Sequence, residues 1–310
     1  MTHLLRTTSQ RSIALMLLSL VFFTANILLL RGLALRFPGA DGWAGILFRG
    51  AVGLGLLFSL YGGSRGMVFR HCFTHPRLVA RGVVGAVATL LFYITIVHLG
   101  ASRAIVINLS YPLFGVIIAA VWLKEAITLR AAFWILAGFA GLVLFFSDAA
   151  FARGLSFYDL VAILSAITSG IAVVFIRGLS KDYHPSTIYA SQCVYGVVLT
   201  VPVAGSAVLS LPPAAWLALG FGAALVAVGQ LSITVGFRYL SVAKGSSIQM
   251  LLPLLVAAGA YLFFDERLTP LEILGALLTL FATWQMLRSP SPVSMQPLPS
   301  FSSPNLKSEV

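Results

Sequence analysis

Two carboxamide side chains precede two prolines at the same spacing in distant parts of the chain. Asn108 lies four residues before Pro112, Gln249 lies four residues before Pro253, and the two pairs are 141 residues apart. Four residues make about one helical turn, so each amide would lie one turn from its proline. Amides donate and accept hydrogen bonds without carrying charge, so two of them could hold one polar solute between them.

Other polar and aromatic side chains lie inside apolar segments. A polar group facing hydrocarbon is costly, so these side chains should face the interior of a bundle or a wet cavity. Hydrogen bonding between helices is the alternative role, and it stays open here. The candidate substrate-binding residues are Asn26, Tyr93, Asn108, Tyr111, Gln192, Gln230, Gln249 and Trp284.

The prolines and two glutamates have structural interpretations. A proline removes one helical hydrogen bond, so Pro112 and Pro253 should kink their helices, although helix packing alone is an alternative reason for them. Glu125 and Glu266 each precede the start of another apolar segment, where a carboxylate can meet exposed N–H groups. We therefore expect both glutamates to be structural corners rather than catalytic groups.

Catalytic and metal-binding patterns are weak. His98 is the only histidine near the end of an apolar segment, and Cys72 and Cys193 have no C-x-x-C spacing. Arg49 is the only basic side chain expected well inside such a segment, either in a structural role or on a substrate carboxylate. No acidic residue falls near the middle of a segment, which argues against a proton relay. We predict no enzyme activity, no metal and no cofactor.

The elements that carry these residues are membrane spans. With 59% hydrophobic and 9% charged residues, the chain cannot be a water-soluble globule, whose charged fraction is about 25%. A span needs roughly 20 apolar residues, and strands lack the required alternation. Ten helices are predicted, at 12–30, 43–61, 79–98, 103–123, 130–147, 158–177, 187–205, 214–237, 242–264 and 270–287.

The basic residues indicate orientation rather than nucleic-acid binding, because they are scattered singly between the apolar segments. Placing the N-terminus in the cytoplasm puts fourteen Lys and Arg residues inside, Arg81 and Arg177 among them, and five outside. Positive residues favour the cytoplasmic side, so both termini are predicted to be cytoplasmic. The Pro- and Ser-rich residues 289–310 are predicted to be a disordered cytoplasmic tail.

The chain also repeats itself. Beside the spacing of 141, the sequence LLLRGL at 28–33 resembles VFIRGL at 174–179, with an offset of 146. Each copy has five predicted spans, and an odd number reverses the direction in which the second copy enters the membrane. An all-α membrane protein of ten helices in two inverted repeats, 12–147 and 158–287, is therefore predicted.

These features resemble the EamA-type branch of the drug/metabolite transporter superfamily. The similarity rests on the doubled pattern Arg103…Pro112…Glu125 and Lys244…Pro253…Glu266, and on the pair Phe48-Arg49. The resemblance implies an inner-membrane exporter of small metabolites, such as amino-acid-like compounds or amphipathic amines, working by alternating access. Import or exchange of a nucleobase- or vitamin-like compound is the alternative. The expected partners are a small-molecule substrate and the lipid bilayer, not nucleic acid, for a monomer or homodimer.

Overall fold

The structure is a computed structural model that describes residues 2–36, 42–62, 67–99, 101–146, 156–264 and 269–289. Within those ranges every regular element is a helix, which agrees with the all-α prediction. Glu266, and all but the first residue of the expected tail 289–310, lie outside the described residues.

The helices follow one another with short connections. They are α1 (Thr2–Arg36), α2 (Gly42–Tyr61), α3 (His71–Thr74), α4 (Pro76–Leu99), α5 (Ala101–Asn108), α6 (Tyr111–Trp122), α7 (Leu129–Phe145), α8 (Phe157–Leu179), α9 (Pro185–Leu209), α10 (Pro213–Tyr239), α11 (Val242–Gln249), α12 (Leu252–Phe264) and α13 (Pro270–Arg288).

Nine segments of the described chain are long and apolar enough to cross a membrane, and α7 is a shorter apolar helix of 17 residues. Large apolar side chains also cover the outside of the bundle. Leu129 is 92% exposed, Leu217 76% and Val121 70%. A soluble monomer does not carry so much contiguous exposed apolar surface, so this surface faces lipid.

The fourth and ninth predicted spans are each broken into two helices. α5 ends at Asn108 and α6 begins at Tyr111, with Pro112 as its second residue; α11 ends at Gln249 and α12 begins at Leu252, with Pro253 second. A proline fits the first turn of a helix because its missing N–H has no intrahelical partner there. The chain therefore starts a new helix at each proline.

Helix contacts between the two halves come in matched pairs. α1 packs along α10 and α8 packs along α4; α2 packs along α10 and α9 along α4. The helix pairs α2–α9 and α7–α13 also join one helix from each half. The two halves are thus interleaved rather than side by side.

Helix α9 lies against both α2 and α4 at very short range. A Cβ atom on Gly50 of α2 would lie 2.6 Å from Cγ2 of Val197, and one on Gly82 of α4 would lie 2.6 Å from the backbone oxygen of Ser191. Only glycine permits such a close approach of helix backbones. Polar side chains on these three helices are therefore brought within reach of one another.

One end of the bundle, which we call the histidine end, joins residues 67–75 to residues 183–187. The backbone N–H of Val68 donates to Oγ1 of Thr187 at 3.1 Å, and the ring of Tyr183 contacts His75 at 5.3 Å. Burial lowers the pKa of His75, with further lowering from His71. The N-termini of α4 and α9 lie together at this end.

Candidate functional site

Two arginines and two glutamines meet between helices α2, α4, α9 and α10. Nη2 of Arg49 on α2 donates to Oε1 of Gln230 on α10 at 3.0 Å. Nη2 of Arg81 on α4 donates to Oε1 of Gln192 on α9 at 2.9 Å. Each guanidinium thus meets a neutral amide oxygen from the other half of the chain.

A small cleft opens beside these side chains. Its lining mixes small residues, which leave the space, with polar groups that face it. The lining residues are Ile46, Arg49, Gly50, Ala86, Thr89, Tyr189, Gln192, Cys193 and Gly196. None of the described residues that line the cleft is acidic.

Arg81 is the most buried charged side chain of this cluster, with 2% of its surface exposed. Its Nε and Nη1 atoms are buried and have no hydrogen-bond partner among the described residues. Gly85, one turn further along α4, leaves room for the guanidinium, because a Cβ there would overlap Nη1. The two arginines are also close enough to repel each other.

The position of Arg81 corrects the sequence analysis, which placed this residue at the cytoplasmic flank and named Arg49 as the only basic side chain well inside a span. Arg81 lies in the second turn of α4, and from there its side chain could reach water if it faced outward. Close packing of α9 on Gly82 encloses it instead. No periodic pattern in the sequence marks which face of α4 meets α9.

Sequence comparison places the second half of the chain in a known family. Residues 156–288 match the model of the EamA-like transporter family. The second half of the chain is an EamA-like transporter domain. The resemblance to EamA-type transporters predicted from the sequence is therefore confirmed.

The transporter is also similar to the pseudopaline exporter CntI of Pseudomonas aeruginosa, from strains UCBPP-PA14 and PAO1. Each is 27% identical over 243 residues, which cover 76% of this chain and 83% of the relative. A protein of known crystal structure superimposes with a TM-score of 0.68 at 16% identity, over 88% of this chain and 95% of that one. The structural likeness shows the fold alone.

Two of the predicted binding residues of the transporter, Gln192 and Gln230, belong to the cluster, together with Arg49, for which a structural role or a substrate contact was predicted. Tyr93 lies close by on α4, where its hydroxyl would be 3.6 Å from a Cβ on Gly45, one turn before Arg49 on α2. Tyr93 and the cluster therefore flank the same stretch of α2.

Other predicted binding residues lie away from the cleft. The side-chain oxygen of Asn26 faces Gly222 on α10, and Tyr111 is buried in the main apolar core. Trp284 is 44% exposed on the outside of α13, where the guanidinium carbon of Arg288 lies 3.8 Å from its ring centroid. These three side chains do not line the cleft.

The amides Asn108 and Gln249 each bind a serine from the other half of the transporter. Nδ2 of Asn108 donates to Oγ of Ser165 on α8 at 2.8 Å and lies 3.4 Å from Oγ of Ser169. Nε2 of Gln249 donates to Oγ of Ser19 on α1 at 3.0 Å. These contacts favour the interhelical role that the sequence left open over the binding of one shared solute.

Replacing Asn108 or Gln249 with alanine is expected to lower the free energy of unfolding by about 1–2 kcal/mol each, because a buried partner loses its hydrogen bond. The stability losses of Asn108→Ala and Ser165→Ala should be coupled, because the two side chains share a hydrogen bond. The losses of Asn108→Ala and Gln249→Ala should add, as measured by unfolding in mixed micelles. Thr168→Ala is the matched control, since its hydroxyl bonds within its own helix. Unchanged stability with weaker solute binding would restore the shared-solute hypothesis.

Glu125 is paired with a buried arginine. Nε of Arg177 on α8 donates to Oε1 of Glu125 at 3.1 Å, and the backbone N–H of Val242 donates to Oε2 at 3.1 Å. Nη1 of Arg177 also donates to the backbone oxygens of Phe237 and Arg238 at the end of α10. One ion pair thus joins the end of α6 to α8, α10 and α11.

The partner of Glu125 differs from the one expected. The carboxylate was expected at the start of the following helix, but Thr128 caps that helix itself by accepting from the N–H of Ala131 at 3.1 Å. Lys124 has a left-handed backbone conformation, with φ of 53°, which ends α6 and redirects the chain. Glu125 therefore reaches the first N–H of a different helix, α11.

A second cleft lies beside Glu125 and the start of α11. The charged groups that line it are already engaged: Glu125 with Arg177, and Lys244 through a 3.3 Å bond from Nζ to the backbone oxygen of Leu287. The cleft lined by Arg49 and Gln192 is consequently the better candidate for a substrate site.

Proposed function

We propose that the protein exports a small organic metabolite across the inner membrane by alternating access. The observation that carries this proposal is the cluster of Arg49, Arg81, Gln192 and Gln230, which draws on helices from both halves of the chain. A polar site at the junction of two halves is where inverted-repeat transporters bind their solutes. An outward direction is supported by the similarity to exporters of Pseudomonas aeruginosa.

The proposal of an inverted repeat is supported by matching hydrogen bonds. Asn108 binds Ser165 as Gln249 binds Ser19; the amides are 141 residues apart and the serines 146, the two offsets of the sequence repeat. In the first bond the amide comes from the first half and the serine from the second, and in the other bond the two halves change places. A pseudo-two-fold axis produces this relation. Alternating access then consists of one half rocking against the other.

The orientation and domain boundaries are parts of the same proposal. Both termini are placed in the cytoplasm by the distribution of Lys and Arg, which puts the histidine end on that side. The repeats correspond to residues 12–147 and 158–287. On this orientation the cleft lies in the half of the membrane nearer the cytoplasm, because α4 and α9 both begin at the histidine end.

Counterflow in proteoliposomes tests the function. Vesicles loaded with unlabelled amino acids are expected to accumulate labelled amino acids faster than protein-free vesicles, without an imposed proton gradient. Gln230→Leu should lower that rate about tenfold or more, since it removes the acceptor of a charged donor. Ser232→Ala on the same helix is the matched control, because its hydroxyl bonds the backbone of Val228.

Two outcomes would contradict the proposal. Counterflow equal to that of protein-free vesicles would argue against transport of amino-acid-like compounds, and an unaltered rate in Gln230→Leu would remove the cluster as the site. Export itself is checked in cells, where overproduction should raise the amount of substrate released into the medium. Accumulation inside the cells would reverse the direction.

A further inference from the structure

Arg49, which lines the cleft, and Arg81, which is buried against the lining residue Gln192, have no acidic partner among the described residues, unlike Arg103 and Arg177. Arg103 pairs with Asp159 at 2.8 Å and Arg177 pairs with Glu125 at 3.1 Å. Arg49 and Arg81 instead meet the neutral oxygens of two glutamines. The nine acidic residues of the sequence all lie at or beyond the ends of the apolar segments: Asp41, Glu125, Asp148, Asp159, Asp182, Asp265, Glu266, Glu272 and Glu309.

An uncompensated pair of cations inside a membrane protein is costly. Moving an ion out of water costs several kcal/mol even after the protein relaxes, and a neutral amide repays only part of that. Arg81 also lies near the N-terminus of α4, where the helix dipole is positive and disfavours a cation. Intramembrane charges that are retained at such cost mark binding sites, and the missing charge here is negative.

The hydrogen-bonding capacity of Arg81 points the same way. A guanidinium has five N–H donors, one on Nε and two on each Nη. Nη2 binds Gln192, whereas Nε and Nη1, with three donors, are buried without a partner in the described ranges. A carboxylate has two oxygens with about four lone-pair sites. It can therefore accept hydrogen bonds from the N–H groups of Arg81 that have no acceptor in the cluster.

We propose that the cleft binds the carboxylate group of an organic acid at Arg49, next to the buried Arg81, and that the protein selects solutes carrying such a group. This inference rests on the proposed function and narrows it. Amino-acid-like solutes and short dicarboxylates carry the negative charge that the cluster of Arg49 and Arg81 lacks. Amines that lack a carboxylate are repelled by the two guanidinium groups.

The test uses three short four-carbon probes: succinate, succinamide and butane-1,4-diamine. Binding to the purified full-length protein in lipid nanodiscs is measured by calorimetry and by thermal shift. Succinate is expected to bind and to raise the melting temperature, whereas the amide and the diamine should do neither. Inorganic phosphate and chloride serve as anion controls; if either displaces succinate at equal concentration, the site is a general anion site and the proposal for carboxylates fails.

Variants assign the binding to the two arginines. Arg49→Gln and Arg81→Gln should each weaken succinate binding about ten- to hundredfold, the effect of losing a charge-assisted hydrogen bond. Arg103→Gln is the matched control, because Asp159 neutralises that arginine, and it should change affinity less than about twofold. Without ligand, Arg81→Gln should melt no lower than the natural protein, since it removes an uncompensated buried charge.

A charge-preserving variant keeps the test informative if Arg81→Gln fails to fold. Arg81→Lys retains the positive charge and loses the planar fork, so succinate should bind with intermediate affinity. Equal binding of succinate and succinamide, or full affinity in the Arg49 and Arg81 variants, would overturn the proposal. Counterflow of the diamine that persists in Arg81→Gln would also overturn the proposal of carboxylate binding. It would still support the proposed transport function. Arginine-dependent binding of succinate without counterflow of any solute would support the carboxylate site. It would contradict the proposed transport function.

Discussion

Replacing Glu125 with glutamine is expected to lower the free energy of unfolding by about 3 kcal/mol, because the substitution leaves Arg177 buried without its counter-charge. Arg177→Gln should cost a similar amount, since it strands the carboxylate instead. The side chains of Arg177 and Glu125 are only 7% and 14% exposed, so water can compensate little. The measurement is reversible unfolding in mixed micelles of detergent and SDS.

The double variant Glu125→Gln, Arg177→Gln separates the ion pair from other effects. Its loss in free energy of unfolding should be smaller than the sum of the losses in the two single variants. The difference, which is the coupling energy of the pair, should be about 1–3 kcal/mol. Glu272→Gln is the matched control, because Glu272 is an acid at an exposed helix start where it accepts from the backbone N–H of Thr269. That change should cost about 1 kcal/mol or less. Additive small effects would show that the pair is not coupled.

Gly141→Val is expected to destabilise the protein by about 3 kcal/mol, the upper end of the usual cost of overpacking. Helices α7 and α13 touch through their backbones here, since a Cβ on Gly141 would lie 2.8 Å from the backbone oxygen of Gly275 and 2.5 Å from Oγ1 of Thr279. Most of the tertiary contact of α7 is with α13, so separating the two helices removes most of its anchoring.

The control for this prediction is another glycine in a helix. A Cβ atom on Gly55 of α2 would have no neighbour within 4 Å among the described residues, so Gly55→Val should change stability by less than about 0.5 kcal/mol. Gly141→Ala should fall between the two, because it adds one atom instead of three. If Gly141→Val unfolds like the natural protein, the close contact of α7 with α13 is wrong.

The sequence by itself determined the helical spans and the helix breaks, because these depend on hydropathy and local stereochemistry. Segments of roughly 20 apolar residues can satisfy their backbone in lipid only as helices or closed barrels, and the lack of alternation excludes barrels. The breaks at Pro112 and Pro253 are also local, because a proline affects the helical turn that precedes it. These features, together with the doubled motif, were sufficient to predict the helical class and the transporter family.

The candidate binding residues were predicted from one rule about polar side chains inside spans. Arg49, Gln192 and Gln230 could be named because polar side chains inside apolar segments are few and must face inward. Asn108 and Gln249 were named by the same rule, yet their described contacts are with serines. The rule finds buried polar groups, but it does not distinguish a group that binds a solute from one that binds a neighbouring helix.

Only the tertiary structure decided which charges are compensated. Arg81 and Arg177 look alike in the sequence, since both are single arginines near the end of an apolar segment. Arg177 meets Glu125, 52 residues away, whereas Arg81 is enclosed by α9 and meets only an amide. The difference arises from helix packing between distant parts of the chain, which fixes the partner of each side chain, and composition and spacing do not encode that packing locally.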